Sequence, residues 1–264
     1  MSRRGFIAGS VAGFGLAWLP AASRAQVIDL NDAINKAGRQ RMLSQRMAKS
    51  YFAVGQEVEL ELADRTLAAS MALFDRQLVE LKVFSPLPEI KATYSQLESS
   101  WSDYKAALVG SRPDKAQAEQ VIALAGKVLG LANTGTGQLE KVSGKSVGKL
   151  VNIAGRQRML SQRMAAFYFS ASWGVQAQMS TAEMNKARED FIAAHELLKK
   201  APEATPAIKA ELELAEMQWG FFDSALRTLK PGTSDKRGMT NVFTTSERIL
   251  QVMDSVTGMY SKLG

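Results

Sequence analysis

The sequence predicts an all-α protein made of two tandem antiparallel four-helix bundles. Its 264 residues are 46% hydrophobic and 22% charged, which is enough apolar material for a packed core. The composition is rich in Ala, Leu, Gln, Lys, Arg, Glu and Met, residues that favour helices. No stretch alternates polar and apolar residues for long enough to indicate a strand. A long internal repeat then predicts that the helices are arranged as two similar units.

The repeat is carried by a segment of 14 residues that occurs twice. Residues 35–48 read NKAGRQRMLSQRMA and residues 152–165 read NIAGRQRMLSQRMA, so 13 of 14 positions match at an offset of 117. Further along, a Thr-Gly pair beginning at Thr136 matches another that begins at Thr257. Two copies of a unit of about 115 residues account for these matches.

In the first unit the spacing predicts four helices, over residues 30–60, 62–84, 88–110 and 114–141. The first of these contains the repeated segment. In the second and third, apolar residues recur every three or four positions over 67–81 and 97–108, which is the helical period. Pro86 and Pro88 separate the second helix from the third, and Pro113 separates the third from the fourth.

In the second unit the same reasoning predicts helices over residues 147–178, 181–200, 204–229 and 235–262. Pro202, Pro206 and Pro231 stand at the corresponding breaks. Helices of this length with short connections are typical of up-and-down bundles, and we place the two units at 26–143 and 144–264. The join over 134–149 is rich in Gly, Ser and Thr, which is compatible with a hinge or with one weakened continuous helix.

Residues 1–25 have the layout of an export signal. A charged start is followed by an apolar run over 6–19, a proline and small residues that end at Ala25, after which we expect cleavage. Arg3 and Arg4 resemble the twin-arginine signal of proteins exported in the folded state. The prediction is therefore a periplasmic protein whose mature chain is not stably inserted in a membrane, and an uncleaved amphipathic anchor is the alternative.

Charge and composition exclude several classes of function. The formal charge is +7, and removing the three arginines of residues 1–25 lowers it to +4, which is too mild to indicate nucleic-acid binding. The absence of cysteine excludes disulfides, thiolate metal sites and cysteine nucleophiles. His195 is the sole histidine, so a histidine-based metal site or triad is not expected. We expect no enzyme, no cofactor and no metal, and a packing or surface role for His195.

The repeated segment places an arginine on an otherwise apolar or small helix face. In the first copy this is Arg41, with Gly38 one turn earlier, and in the second copy Arg158 and Gly155. Glycine in both copies indicates the close approach of another helix or of a ligand. If the two faces oppose each other, two guanidiniums meet that cannot lose their charge. Acids from other helices or a small planar oxyanion would then have to neutralise them.

Other polar residues of the segment are secondary candidates for the same site. Gln45 and Gln162 lie on the arginine face, and Arg39 and Arg156 lie on neighbouring faces. For Arg39, Arg46, Arg156 and Arg163 we expect ion pairs with acids such as Glu57, Glu59, Asp103 and Glu140, or exposure to solvent. In the alternative interpretation, all six arginines form a solvated or salt-bridged stripe.

The sequence N-x-A-G-R-Q-R-M-L-S-Q-R-M resembles the signature of the PilJ/NarX-type sensor domain. That family comprises periplasmic four-helix modules of nitrate/nitrite sensor kinases and of some methyl-accepting chemotaxis transducers. The resemblance covers both units, about residues 30–262. It implies a pseudo-dimer within one chain that holds one nitrate or nitrite ion between its first helices, bound by Gly38, Arg41, Gly155 and Arg158.

The resemblance implies a soluble periplasmic sensory module for nitrate, nitrite or a similar small oxyanion. Because the membrane helices and output module of the family's sensors are not found in this sequence, we expect a membrane-bound protein partner to receive the signal. The alternative is a non-enzymatic interaction accessory of an envelope receptor or transporter. The sensory interpretation requires Arg41 and Arg158 together in a buried pocket with no internal acid, whereas the alternative requires them exposed or paired with acids.

Overall fold

The computed structural model describes residues 26–263, and the predicted export signal lies outside them. The described residues form eight helices and no strand. Their bounds are α1 Leu30–Gly55, α2 Leu60–Phe84, α3 Pro88–Val109, α4 Lys115–Ser143, α5 Ser146–Ser172, α6 Ala177–Lys199, α7 Pro206–Leu226 and α8 Lys236–Ser261. None of these helices is long and apolar enough to cross a membrane.

The helices form two four-helix bundles, α1–α4 and α5–α8, as predicted. In each bundle the first helix packs against the second and the fourth, and the third packs against the fourth. The two bundles meet mainly through α1 and α5, which run parallel. A Cβ on Gly38 would lie 3.7 Å from the Cα of Gly155, and further along both helices Gly55 faces the ring of Trp173. The predicted pseudo-dimer within one chain is confirmed.

The two first helices are central to the molecule, and this explains their polar interiors. α1 contacts α2, α4, α5 and α8, and α5 contacts α1, α4, α6 and α8. Both helices are therefore covered on nearly every side, and residues such as Arg41, Lys49, Gln157 and Arg158 are buried although they are polar. The repeated segment supplies these central helices in both bundles.

An equivalent aromatic pair packs the second helix of each bundle against the third. The rings of Phe74 and Trp101 have centroids 4.3 Å apart, and those of Phe191 and Trp219 are 4.6 Å apart. His195 is buried and stacks on Phe191 with ring centroids 6.1 Å apart, which is the packing role predicted for it. The internal repeat thus extends from the central helices to the outer ones.

The first helix of each bundle ends earlier than the sequence predicts. α1 ends at Gly55 instead of residue 60, and α5 ends at Ser172 instead of residue 178. The residues before the next helices, Glu59 and Gln176, have left-handed backbones with φ of 48° and 44°. A left-handed residue interrupts the helical hydrogen bonding, so the chain turns before each second helix.

The join between the bundles is a short turn. α4 continues to Ser143, Gly144 follows with φ of 60°, and α5 begins at Ser146. Glycine accepts this left-handed conformation without a Cβ clash and ends α4 with a hydrogen bond from its N–H to the Glu140 carbonyl. One continuous helix is therefore excluded for the described residues.

Candidate functional site

Arg41 and Arg158 lie together where α1 and α5 are in closest contact. The two arginines are 1% and 0% exposed. A Cβ on Gly38 would lie 3.2 Å from Nη2 of Arg41 and 3.4 Å from Nη2 of Arg158, and a Cβ on Gly155 would lie 3.2 Å from Nη2 of Arg158. Because both positions are glycine, the two guanidinium groups have room between the helices. The structure thus brings together the four residues predicted as the anion site.

Each arginine donates a hydrogen bond to the backbone of the opposite central helix. Nη2 of Arg41 donates to the carbonyl oxygen of Asn152 over 3.1 Å, and Nη2 of Arg158 donates to that of Asn35 over 3.0 Å. Asn35 and Asn152 are equivalent in the repeat, so this crossed arrangement follows its pseudo-twofold symmetry. The Nε atoms of both arginines are buried and have no partner among the described residues. Each guanidinium therefore retains its Nε–H as a buried donor for a further acceptor.

The two guanidiniums differ in the hydrogen-bond partner of Nη1. Nη1 of Arg41 donates to the amide oxygen of Asn133 on α4 over 3.0 Å, whereas Nη1 of Arg158 donates to the carboxylate of Asp254 on α8. Asn133 and Asp254 are equivalent, because each lies three residues before the repeated threonine, Thr136 in α4 and Thr257 in α8. Arg158 thus has a counter-charge from its own bundle, and Arg41 has a neutral amide.

The pKa values reflect the cost of burying these charges. Burial, followed by the positive charges of Arg158 and Arg156, lowers the pKa of Arg41 to about 9. Burial lowers the pKa of Arg158 to about 10, and the charge of Asp254 opposes this effect. Both arginines remain protonated at neutral pH. A small anion next to Arg41 would relieve the repulsion between the two guanidiniums.

The outer arginines of the motif form ion pairs, but with other acids than predicted. Arg39 contacts Asp254 over 2.8 Å and Arg156 contacts Asp190 over 2.8 Å. Arg46 contacts Glu247, and Arg163 contacts Glu183 over 2.7 Å. The predicted acids contact other groups, since Glu57 pairs with Arg112, Glu59 accepts from Thr240, and Glu140 accepts from Asn152. The predicted ion pairs are therefore found, but the choice of acids was wrong, because sequence spacing does not show which outer helix faces each arginine.

Gln45 and Gln162 connect the central helices to the fourth helix of their own bundle. Nε2 of Gln45 donates to the carbonyl oxygen of Ala125 on α4 over 3.3 Å, and Nε2 of Gln162 donates to that of Ser246 on α8 over 2.9 Å. Both glutamines are buried. They lie one turn beyond the arginines and hold α4 and α8, the helices that carry Asn133 and Asp254.

Two equivalent surface grooves flank the arginine pair. The first, here the α4–α5–α6 groove, has a volume of 380 Å³, and the second, the α1–α2–α8 groove, has a volume of 340 Å³. Asn133 lines the first groove and Asp254 lines the second. The groove-side partner of each buried guanidinium is therefore a residue that solvent can reach.

The α1–α2–α8 groove contains a buried charge cluster that the sequence analysis missed. Lys49 is fully buried, its Nζ donates to Oγ of Ser246 over 3.1 Å and to the carboxylate of Glu247, and it lies 4.3 Å from the ring centroid of Phe243. The Lys49 and Arg46 charges hold the pKa of Glu247 at about 2 against the effect of burial. The equivalent positions carry Ala166 and Gly126, so the two halves of the repeat differ here. Comparing the two α4-type helices residue by residue would have revealed this difference.

Comparison with known families agrees with the duplicated architecture. A family model described as PilJ, type IV pili methyl-accepting chemotaxis transducer N-term, matches residues 26–125 and again residues 143–242. The two matches contain α1–α3 with the start of α4, and α5–α7 with the start of α8. No curated protein and no solved structure matches the chain.

Proposed function

We propose that this chain, which belongs to the PilJ family of chemotaxis-transducer N-terminal domains, senses a nitrate-like oxyanion. In this proposal the anion binds at the buried guanidiniums of Arg41 and Arg158, beside Gly38 and Gly155. The bound state is passed to a membrane-bound protein partner in the periplasm, after the export signal has been removed. The family is a non-catalytic one, and we propose no enzymatic activity.

The observation that carries the proposal is a buried Arg41 without a carboxylate, next to a second buried guanidinium. Two adjacent buried positive charges are strongly unfavourable unless a counter-charge and hydrogen-bond acceptors compensate them. The planar fork of guanidinium suits planar oxyanions, and both arginines have an Nε donor with no partner among residues 26–263. A small anion would supply both a counter-charge and acceptors.

The position of the site supports a sensory role. The arginines lie at the contact between α1 and α5, which is the main contact between the two bundles. An anion that draws the two guanidiniums together would favour one relative arrangement of these helices over another. A partner that contacts both bundles could then distinguish the bound from the free state.

The observations favour this role over that of an interaction accessory. The alternative function requires the two arginines to be exposed to an acidic partner or already paired with acids, and Arg158 meets the second condition because it contacts Asp254. Arg41 meets the requirement of the sensory role, because it is buried and forms no ion pair within the described residues. Arg41 and Arg158 are at most 1% exposed, so a partner helix has no direct access to them. Arg39 and Arg156 are more accessible, but each already contacts an aspartate.

Thermal melting in sodium nitrate, nitrite, acetate, chloride and sulfate at fixed ionic strength tests the proposal. An anion at 100 times its dissociation constant adds about 2.7 kcal/mol to the free energy of unfolding. For a chain of this size that raises the Tm by about 5–11 °C. We expect the rise with nitrate, nitrite or another planar oxyanion and not with chloride or sulfate, its loss in Arg41→Ala and its reduction in Arg158→Ala. Arg112→Ala, which removes an exposed arginine far from the site, is the matched control and should keep it.

A rise of equal size in all salts would refute a specific anion site. So would a nitrate-dependent rise that persists in folded Arg41→Ala protein. In either case the family's sensory role would have to rest on a different ligand or on the interaction accessory.

A further inference from the structure

The internal repeat allows the two halves of the arginine site to be compared within one chain. Arg41 and Arg158 have the same backbone acceptors on the opposite helix and the same unpartnered Nε. They differ at Nη1, where Arg158 meets the carboxylate of Asp254 and Arg41 meets the amide of Asn133. Because the other contacts of the two guanidiniums are alike, this difference at Nη1 determines which half already contains an anionic group.

Asp254 contacts Arg158 in the way that a bound anion would. Its carboxylate accepts hydrogen bonds from Arg158 and from Arg39, so two guanidiniums hold it. These charges keep the pKa of Asp254 below its ordinary value, against the effect of burial. Its side chain is 44% exposed on the wall of the α1–α2–α8 groove, so the carboxylate reaches a buried arginine from the surface.

We propose that Asp254 is a built-in anion that fills the Arg158 half of the site, so that a free anion enters only at the Arg41 half. The free anion passes through the α4–α5–α6 groove and binds where Asn133 now contacts Arg41. Asn133 is then the residue that admits the anion. This inference rests on the proposed function and specifies the half of the site, the route and the class of ligand.

The α4–α5–α6 groove has the properties that such an entry route requires. The α4 position equivalent to Glu247 is Gly126, and Cβ atoms on Gly126 and Gly130 would meet nothing within 4 Å. The groove is therefore open next to Asn133. Arg156 and Lys186 line it and attract anions to its mouth.

The acids around this groove compensate Arg41 only in part, because the charge of Glu140 raises the pKa of Arg41 but does not outweigh burial and the neighbouring arginines. Asp190 and Glu183 line the groove on α6 and are engaged by Arg156 and Arg163. Glu140 on α4 accepts a hydrogen bond from the amide of Asn152. No ion pair of Arg41 is found in the part of the chain that the structure describes, so its half of the site retains a need for negative charge.

Asp254 also indicates the class of ligand. A carboxylate is a planar, Y-shaped, singly charged group, and nitrate, nitrite, formate and acetate are planar monoanions of similar size. Sulfate is tetrahedral and doubly charged, so it does not match the group that the equivalent half contains. We therefore expect the Arg41 half to accept planar monoanions, including small carboxylates, and to discriminate against sulfate.

Exchanging the two residues tests the inference. Asn133→Asp places a carboxylate beside Arg41, so we expect a higher Tm without added anion and no further rise with nitrate, formate or acetate. Asp254→Asn removes the built-in anion, so we expect a lower Tm without added anion and a larger nitrate-dependent rise. The double exchange should restore an anion-dependent rise, now through the Arg158 half.

A control variant separates this effect from a general change of charge. Gly137→Asp adds the same charge to α4 about one turn from Asn133 at a position that does not line the groove and where a Cβ meets nothing within 4 Å, and it should keep the nitrate-dependent rise. Isothermal titration with sodium nitrate gives a second readout that does not depend on the stability of each variant. A wild-type rise that Asn133→Asp retains, or that Asp254→Asn abolishes while still folded, would overturn the inference and leave the proposed function standing. If no anion raises the Tm of the wild type or of any variant, both the inference and the proposed function are overturned.

Discussion

Glu247 is the residue whose replacement we expect to destabilise the contact between α1 and α8 most. Its carboxylate contacts Lys49 and Arg46 on α1, and Lys49 has no exposed surface. Replacing Glu247 by Gln would leave the Lys49 ammonium buried without a counter-charge, beside a neutral amide, Oγ of Ser246 and the ring of Phe243. The substitution keeps the size and shape of the side chain, so its effect isolates the charge.

The expected magnitude follows from the burial of Lys49. Removing one partner of a buried ion pair costs about 3 kcal/mol or more, because the remaining charge is left uncompensated. For a chain of this length that corresponds to a fall in Tm of about 6–12 °C. Replacing Lys49 by Met together with Glu247→Gln should recover most of this loss. The equivalent positions of the other half, Ala166 and Gly126, carry neither charge.

The same residue predicts a pH dependence. The pKa of Glu247 is lowered from 4.5 to about 2 in the folded protein, so the folded state binds fewer protons than the unfolded state between these values. Its contribution to stability is complete above about pH 5 and is lost as the pH falls from 4.5 towards 2. Wild-type and Glu247→Gln proteins should therefore differ most in free energy of unfolding just above about pH 5 and converge in acid. The difference should also shrink towards pH 8, because burial lowers the pKa of Lys49 to about 8 and an uncharged Lys49 needs no counter-charge.

Urea unfolding of both proteins at a series of pH values measures this difference directly. Circular dichroism at the helical band reports the unfolded fraction. A loss below 1 kcal/mol at pH 7, or a difference that does not shrink between pH 4.5 and 2, would refute the assignment of Glu247 as the counter-charge of buried Lys49.

Further substitutions test the packing and the turns. Gly55→Ala would place a Cβ 2.2 Å from Cη2 of Trp173, so we expect a loss of about 2 kcal/mol or more in urea unfolding. At the exposed position Gly220 of α7 a Cβ would meet nothing within 4 Å, so Gly220→Ala should instead stabilise the protein by about 0.5–1 kcal/mol. A lower free energy of unfolding in this variant would contradict the reasoning. Gly144→Ala, at φ of 60°, should cost about 1 kcal/mol, and Gly144→Asn should cost less. Burial lowers the pKa of His195, so its contribution to stability should be lost as the pH falls below 6.5, and His195→Phe should remove that component from the pH profile of stability.

Most of the helical architecture could be predicted from the sequence, because it depends on local signals. The 14-residue repeat placed the two central helices. Pro88 is the first residue of α3, as predicted, and Pro206 is the first residue of α7, two residues after the predicted start at 204. The ends of α1 and α5 were predicted five or six residues too late. Glu59 and Gln176 adopt left-handed backbones for which these residue types give no sequence signal.

The candidate site could be predicted in its centre and not at its edges. Gly38 and Gly155 precede Arg41 and Arg158 by three residues, so each glycine lies on the same helix face as its arginine. The structure shows that these two faces meet where α1 packs against α5. The acids that meet the arginines come from α6 and α8, which are separated from them by 20 to 215 residues. No local pattern relates such distant positions.

The sequence alone determined the helical fold, its duplication and the position of one arginine and one glycine on the same face of each first helix, because periodicity and repetition act through residues close together in the chain. The tertiary structure alone determined that Asp254 neutralises Arg158, that Asn133 faces Arg41, and that Lys49 is buried against Glu247. These relations depend on how α4 and α8 are rotated against the central helices. That rotation is set by the packing of whole helix surfaces, and one carboxylate in place of an amide then makes two nearly identical halves electrostatically different.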